Sequence, residues 1–289
     1  MIVMRLKGGL GNQMFQYALG RRLCLKHRTE LALETSSFKT DHLRVYRLNT
    51  FQIKGSASDK LPFFPTTGPK RRLNSVLQFF RGLIGRPFEI FKEKGFSFDP
   101  SVLQGSGNAF FDGFWQSEKY FATIRESLLA EFMPVTPLSV ELAHITHNIQ
   151  SCAAVSIHVR RGDYVSNPTT TAYHGVCSKE WYEKAAEYMK SHVPNLQFFV
   201  FSDDFEWAKD NLSFDAPTTF VKPSPDGLEC HDLYVMSLCK HNVIANSSFS
   251  WWGAWLNQNP NKIVVAPRKW FVAGPQTTND LIPESWIRI

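Results

Sequence analysis

An apolar run over residues 1–6 breaks at Lys7 into Gly8-Gly9-Leu10-Gly11, and helix-periodic apolar residues follow to His27. A short run with no polar alternation reads as a strand buried on both faces. The glycines give a tight exit into a helix that starts at Asn12. Leu31-Ala32-Leu33, ending at Glu34, reads as the next strand. Strand, glycine turn, helix and strand make a βαβ opening, which commits the chain to a parallel sheet with covering helices.

The second half alternates in the same way. Strands are expected at 153–159, 197–201, 242–245 and 262–266, and helices at 179–189, 204–212, 229–240 and 249–257. Residues 117–132 and 138–149 read as helices, separated by the breakers Pro134 and Pro137. The boundary therefore falls within 133–151, giving two Rossmann-like α/β domains, 1–140 and 141–289, facing a central cleft. Residues 55–75 read as an irregular loop. Residues 79–91, apolar with interspersed Arg, read as buried helix and loop, with a membrane-surface segment as the alternative.

Composition narrows the function classes. The net charge of +6 suits an anionic ligand, but the Lys and Arg residues are scattered and no nucleic-acid motif occurs. A nucleic-acid partner is not expected. Five cysteines without a C-x-x-C spacing read as reduced thiols. Cys230, His231, Cys239 and His241 lie close in sequence, but their spacing fits no ordinary zinc pattern, so no metal site is expected. There is no signal-peptide pattern and no apolar run of spanning length, so the expected location is cytoplasmic.

Four segments could carry chemistry. Gly8 to Met14 (GGLGNQM) bares backbone N–H groups at a helix start, with Gly9 and Gly11 as ligand-approach positions. It is no Walker A loop, and as G-x-G-x-x-G it fails at Met14. Glu34 sits where a ribose-binding acid could lie, which keeps an NAD(P)-linked reading open. In the second segment, alternation through 155–159 puts His158 and Arg160 on one face, and Arg161, Gly162 and Asp163 turn off the strand's carboxyl end. Two adjacent guanidiniums there suit a pyrophosphate; the structural alternative is an Arg160–Asp163 ion pair. In Phe201-Ser202-Asp203-Asp204-Phe205-Glu206, Asp203 and Glu206 resemble a capping box, while the Asp pair could instead bond a guanine or ribose. Finally, Asn246-Ser247-Ser248-Phe249-Ser250 starts a helix whose hydroxyls and N–H groups form an anion site. Trp251 and Trp255 share one face of that helix and read as core.

Together GGLGNQMFQYA (8–18), GFWQSEKYF (113–121), HVRRGDY (158–164), FSDD (201–204) and ANSSFSWWGAWL (245–256) resemble, in order and across nearly the whole chain, the bacterial-type α-1,2-fucosyltransferases of glycosyltransferase family 11. The resemblance implies a GT-B-like fold and GDP-β-L-fucose as donor. It implies a galactose-terminated glycan as acceptor, inversion at the anomeric carbon, and no metal or cofactor. It places Arg160 on the donor pyrophosphate with His158 and Asp163 around it. Ser247, Ser248 and Ser250 fall on the donor side by resemblance, and Asn12 near the transferred sugar; Arg161, Asp203, Asp204 and Phe249 join them as expected donor contacts from the reading of their segments. The second domain would bind the donor and the first the acceptor, with peripheral membrane contact through a lipid-linked acceptor. The base for the acceptor proton stays open among Glu34, Asp112, Asp163, His158 and Glu229. A non-catalytic sugar-binding module is the remaining alternative.

Overall fold

The computed structural model describes residues 1–60, 88–225, 227–274 and 278–289. They form two compact units, Met1–Phe132 and Met133–Ile289. Residues 61–75 of the expected loop and 79–87 of the apolar segment lie outside the described residues.

The first unit carries β1 (Ile2–Arg5), α1 (Leu10–His27), β2 (Leu31–Glu34), β3 (Ser56–Ser58), β4 (Glu89–Lys92) and β5 (Ala109–Asp112). Its sheet runs β3-β2-β1-β5-β4, and every pairing is parallel. All four residues of β1 and of β2 are buried, as the unalternated apolar runs require. Two readings need correction. Ser56–Ser58 is an edge strand within the expected loop, and residues 89–91 belong to a strand rather than to helix and loop. Both strands are short and largely exposed, so neither shows the apolar signature of a buried strand.

The helix expected over 117–132 is fragmented. Two short 3₁₀ turns, Glu118–Tyr120 and Ala122–Ile124, precede α2 (Arg125–Glu131). Ser117 caps the first turn by accepting the Lys119 N–H. Phe121 leaves helical geometry at φ −143° and buries its ring 5.9 Å from Phe15. Burial of that ring outweighs a continuous helix.

The second unit carries α3 (Val140–Ser151), β6 (Ala153–Val159), α4 (Gly162–Ser166), α5 (Pro168–His174), α6 (Lys179–His192), β7 (Leu196–Ser202) and α7 (Phe205–Asn211). It continues with β8 (Thr218–Val221), α8 (Glu229–Leu238), β9 (His241–Val243), α9 (Ser248–Leu256), β10 (Val264–Ala266) and β11 (Ile287–Arg288). The sheet order is β11-β10-β9-β6-β7-β8, again all parallel. The division at Phe132/Met133 gives α3 to this unit, where it packs on β6 and α8. Strands β8 and β11 and helices α4 and α5 carry too short a pattern to be read from sequence.

Val155, Ile157 and Val159 of β6 pack with Tyr182, Ala185 and Met189 of α6. On the other face, Ser156 Oγ accepts from Asn242 Nδ2 at 2.7 Å. Trp251, Trp252 and Trp255 of α9 are buried, and the Trp251 indole donates to the Leu281 carbonyl at 2.8 Å. These aromatics are core. Among the described residues no helix is long and apolar enough to cross a membrane.

Candidate active site

In the second sheet β9, β6 and β7 are neighbours, so their carboxyl ends meet at one edge. Parallel α/β sheets bind ligands at that edge because loops and helix N-termini converge there. Arg160 to Asp163 leave β6, Ser202 to Asp204 leave β7, and Asn246 to Ser248 follow β9.

Arg160 is held by two carboxylates. Its Nη2 donates to Asp163 Oδ1, and its Nη1 lies 2.7 Å from Asp203 Oδ2. Its guanidinium carbon lies 5.1 Å from the centre of the Tyr164 ring. Burial works against the charge, but Asp203 and Asp163 outweigh it and hold the pKa above the ordinary value. Arg161 Nε lies 3.1 Å from Asp204 Oδ2, and its guanidinium sits 3.7 Å over Trp207. The Arg161 backbone N–H donates to Asp203 Oδ1 at 2.8 Å. A Cβ on Gly162 would lie 2.4 Å from Asp203 Oδ2, so glycine is needed for this close approach.

The structure therefore builds the Arg160–Asp163 ion pair weighed as the structural alternative, and adds Asp203 and Asp204. Two guanidiniums face three carboxylates. A guanidinium has five N–H donors in a planar fork, so the two carboxylates on Arg160 leave it donor capacity for an oxyanion. The capping box read at Asp203 and Glu206 does not form. α7 has no side-chain cap at Asp204, and Asp203 turns to the arginines instead. An ion pair with a guanidinium outcompetes a helix-start hydrogen bond.

His158 is buried, 5.5 Å from the Phe249 ring, and its Nδ1 has no hydrogen-bond partner among the described residues. Burial, with the Arg160 charge, pushes its pKa down to about 3. The ring is neutral at working pH and a poor proton acceptor.

At α9, Ser247 is the N-cap and its hydroxyl accepts the Phe249 N–H at 3.3 Å. Ser250 is buried and donates to the Ser247 carbonyl at 3.3 Å. Ser248 and Phe249 are half-buried, and the first turn holds no acid. The helix dipole is thus uncompensated by a carboxylate of its own, and Ser248 is the hydroxyl best exposed to an anion. Asn246, quoted in the sequence but given no role, donates to the carbonyls of His174, Gly175 and Trp270. It ties the end of α5 and the loop after β10 to the end of β9. Trp207, under Arg161, was also missed; its spacing reads only as a helix residue.

At the corresponding edge of the first unit, left-handed backbone occurs at Gly8, with φ +79°, rather than at Gly9 or Gly11. Gly9 is the extended N-cap of α1, and Gly11 is buried in the first turn. Two glutamines frame the turn. Gln13 donates to the Gly8 and Val45 carbonyls, both at 2.9 Å, and accepts the Arg47 N–H. Gln16 accepts the Lys7 N–H and donates to the Gly113 carbonyl. Asn12 Oδ1 accepts from Gln116 Nε2 at 2.6 Å.

Glu34 is fully buried, 3.0 Å from Arg5 Nε, and also accepts the Ser36 N–H. The ribose-binding role weighed for it is corrected: the carboxylate is spent on Arg5. Asp112 bridges Arg5 and Lys7 at 3.1 and 2.9 Å. Among the described residues no group of three or more His, Cys, Asp or Glu could hold a metal ion.

The family model described as Glycosyl transferase family 11 matches residues 83–289. An α-1,2-colitosyltransferase of Escherichia coli is 35% identical over 298 residues, covering 100% of this chain and 98% of the relative. The O-antigen biosynthesis glycosyltransferase WbnK of Escherichia coli is 32% identical, covering 98% and 99%. The galactoside 2-alpha-L-fucosyltransferase Sec1 of Mus musculus is 23% identical over 89% of this chain and 64% of its own length.

Proposed function

The chain belongs to glycosyltransferase family 11, and from that premise we propose that it transfers fucose from GDP-β-L-fucose to the 2-hydroxyl of a galactose-terminated glycan, inverting the anomeric carbon without a metal. The observation that carries this reading is the carboxyl edge of the second sheet, where two guanidiniums are held by three carboxylates and keep donors for an oxyanion. Arg160, Arg161 and the acid-free N-terminus of α9 converge where β6, β7 and β9 end.

The reaction is a displacement at C1. The acceptor oxygen forms a bond to C1 as the bond from C1 to the β-phosphate oxygen breaks, GDP leaves with the electron pair, and the hydroxyl proton passes to water or to the departing phosphate. Negative charge grows on the leaving phosphate. Fixed guanidiniums and N–H groups stabilise that charge without reorganising at the moment of reaction. Asp163 and Asp203 hold the Arg160 fork rigid for this purpose. Neutral His158 supports the phosphate edge as a hydrogen-bonding ring rather than as the base. Glu34, buried on Arg5, is also excluded as the base.

The full-length likeness to a colitosyltransferase favours a second donor, GDP-colitose. Colitose is fucose without its 3-hydroxyl. A site that hydrogen-bonds a hydroxyl rejects the analogue lacking it by roughly 10⁴–10⁵, whereas an apolar pocket rejects an added hydroxyl by only about 10². Comparing kcat/KM for the two GDP-sugars on a galactoside acceptor, with linkage analysis of the product, tests the reading. Strong preference for GDP-fucose and a 1,2-linked product support it. Exclusive use of GDP-colitose replaces the donor, and loss of activity in EDTA overturns the metal-free mechanism.

A further inference from the structure

The carboxyl edge of the first sheet holds a strained loop that the donor chemistry does not explain. Trp115 adopts φ +57°, a conformation that bulky residues rarely take. Its side chain is buried, and the indole N–H has no hydrogen-bond partner among the described residues. Strain kept in this way is over-determined by its surroundings. The holder is Glu93, one residue past β4. One carboxylate oxygen accepts the Phe114 N–H at 2.7 Å, and the other accepts the Trp115 N–H at 2.8 Å. A Cβ on Gly113 would lie 2.4 Å from Glu93 Cβ, so glycine admits the carboxylate to this distance.

The loop held in this way assembles four groups. The Phe114 ring is half-buried, with Lys7 Nζ 4.8 Å from its centre. Lys7 is also paired to Asp112, and its side chain keeps a third of its surface exposed. Gln116 donates to Asn12, which fixes that amide beside the glycine turn. An aromatic face flanked by amide and ammonium donors matches a neutral hexopyranose, whose ring C–H groups pack on the π-face while its hydroxyls bond the donors.

We infer that Glu93 is a positioning residue that holds Phe114, Gln116 and Asn12 as the platform for the acceptor sugar. This rests on the transferase reading. Burial raises the pKa of Glu93 above the ordinary carboxylate value, and Asp112 at the end of β5 adds to the rise. The Phe114 and Trp115 N–H groups, and Lys7 beyond β1, oppose it. Arg5 lies behind Asp112, and Lys92 and Lys94 flank Glu93 in its own segment. A protonated carboxyl turns one acceptor into a donor facing an N–H, so the platform loosens as pH falls.

The test is Glu93→Gln in the full chain, with acceptor KM, GDP affinity and thermal unfolding measured together. Acceptor KM should rise about tenfold or more, the scale of a lost buried charge-assisted hydrogen bond, while GDP affinity stays at its wild-type value. The wild type should lose acceptor kcat/KM on an acid limb that is absent from Glu93→Gln. Phe114→Leu, which keeps the backbone and removes the ring, should raise acceptor KM without changing the unfolding midpoint, and it serves if Glu93→Gln fails to fold. Unchanged acceptor KM in a folded Glu93→Gln, or in Phe114→Leu, overturns the assignment. A wild type inert with every GDP-sugar fails the underlying reading instead.

Discussion

The two units place charge clusters at equivalent sheet edges and use them differently. In the first, Arg5, Glu34 and Asp112 are almost wholly buried, and the ion pairs lock three strand ends together. In the second, Arg160, Arg161, Asp163, Asp203 and Asp204 keep between 17% and 38% of their side-chain surface exposed. A buried pair cannot exchange partners without stranding a charge. A half-exposed pair can admit a phosphate. The same residue types at the same topological position thus lock the architecture in one unit and, on the proposed function, stay open to a ligand in the other.

Overall charge does not reveal this division. The first unit contains 20 Lys and Arg against 11 Asp and Glu, and the second 12 against 15. The proposed nucleotide site therefore belongs to the more acidic unit. Its fitness for an anion comes from local placement of guanidiniums and a helix start, not from net charge.

The comparison can be broken at its strongest point by Arg5→Ala. Removing one partner of a buried pair costs about 3–5 kcal/mol, so chemical denaturation should show a large loss of stability. A near-neutral result would put Arg5 among the exchangeable ions. Arg160→Ala should do the reverse. The transition state should lose about 2.7–4 kcal/mol, seen as a hundredfold or greater fall in kcat, with the fold retained. Wild-type turnover would remove Arg160 from the mechanism.

His158 supplies a pH-dependent contrast. Its folded pKa of about 3 lies below the ordinary value of 6.5. The unfolded chain therefore takes up a proton first as pH falls. The stability contributed by the neutral ring is complete above 6.5 and is lost progressively towards pH 3, by at most about 1.4 kcal/mol per pH unit. Denaturation of wild type and His158→Gln across that range should show a shallower slope in the variant; parallel slopes would place the acid sensitivity elsewhere. The smallest effect expected is that of Trp207→Ala on Arg161. A half-buried cation–π contact is worth about 1 kcal/mol, so GDP affinity should weaken only a few-fold, measured by calorimetry.

Much of the site was legible as segments. HVRRGDY, FSDD and the helix start at Ser247 occupy one edge because β6, β7 and β9 are adjacent, and strand alternation correctly put His158 opposite the Val155, Ile157 and Val159 face. The partners were not legible. Arg160 meets Asp203 across forty-three positions of chain, and Arg161 meets Trp207. The frame supplied by Gln13 and Gln16 was also hidden, because a glutamine in a helix reads as solvent-facing until its face is known to be covered. The break at Phe121 was invisible for a related reason: local helix periodicity carries no information about a ring buried against Phe15.

Periodicity and glycine placement alone determined that this chain makes parallel sheets, since unalternated apolar strands need helices on both faces. Ordered motifs determined its family. Only the tertiary structure decided which charges are sealed and which stay exchangeable, and that Glu93 reaches the Phe114 and Trp115 amides. Burial and long-range pairing depend on which elements pack together, and a local sequence pattern does not contain that information.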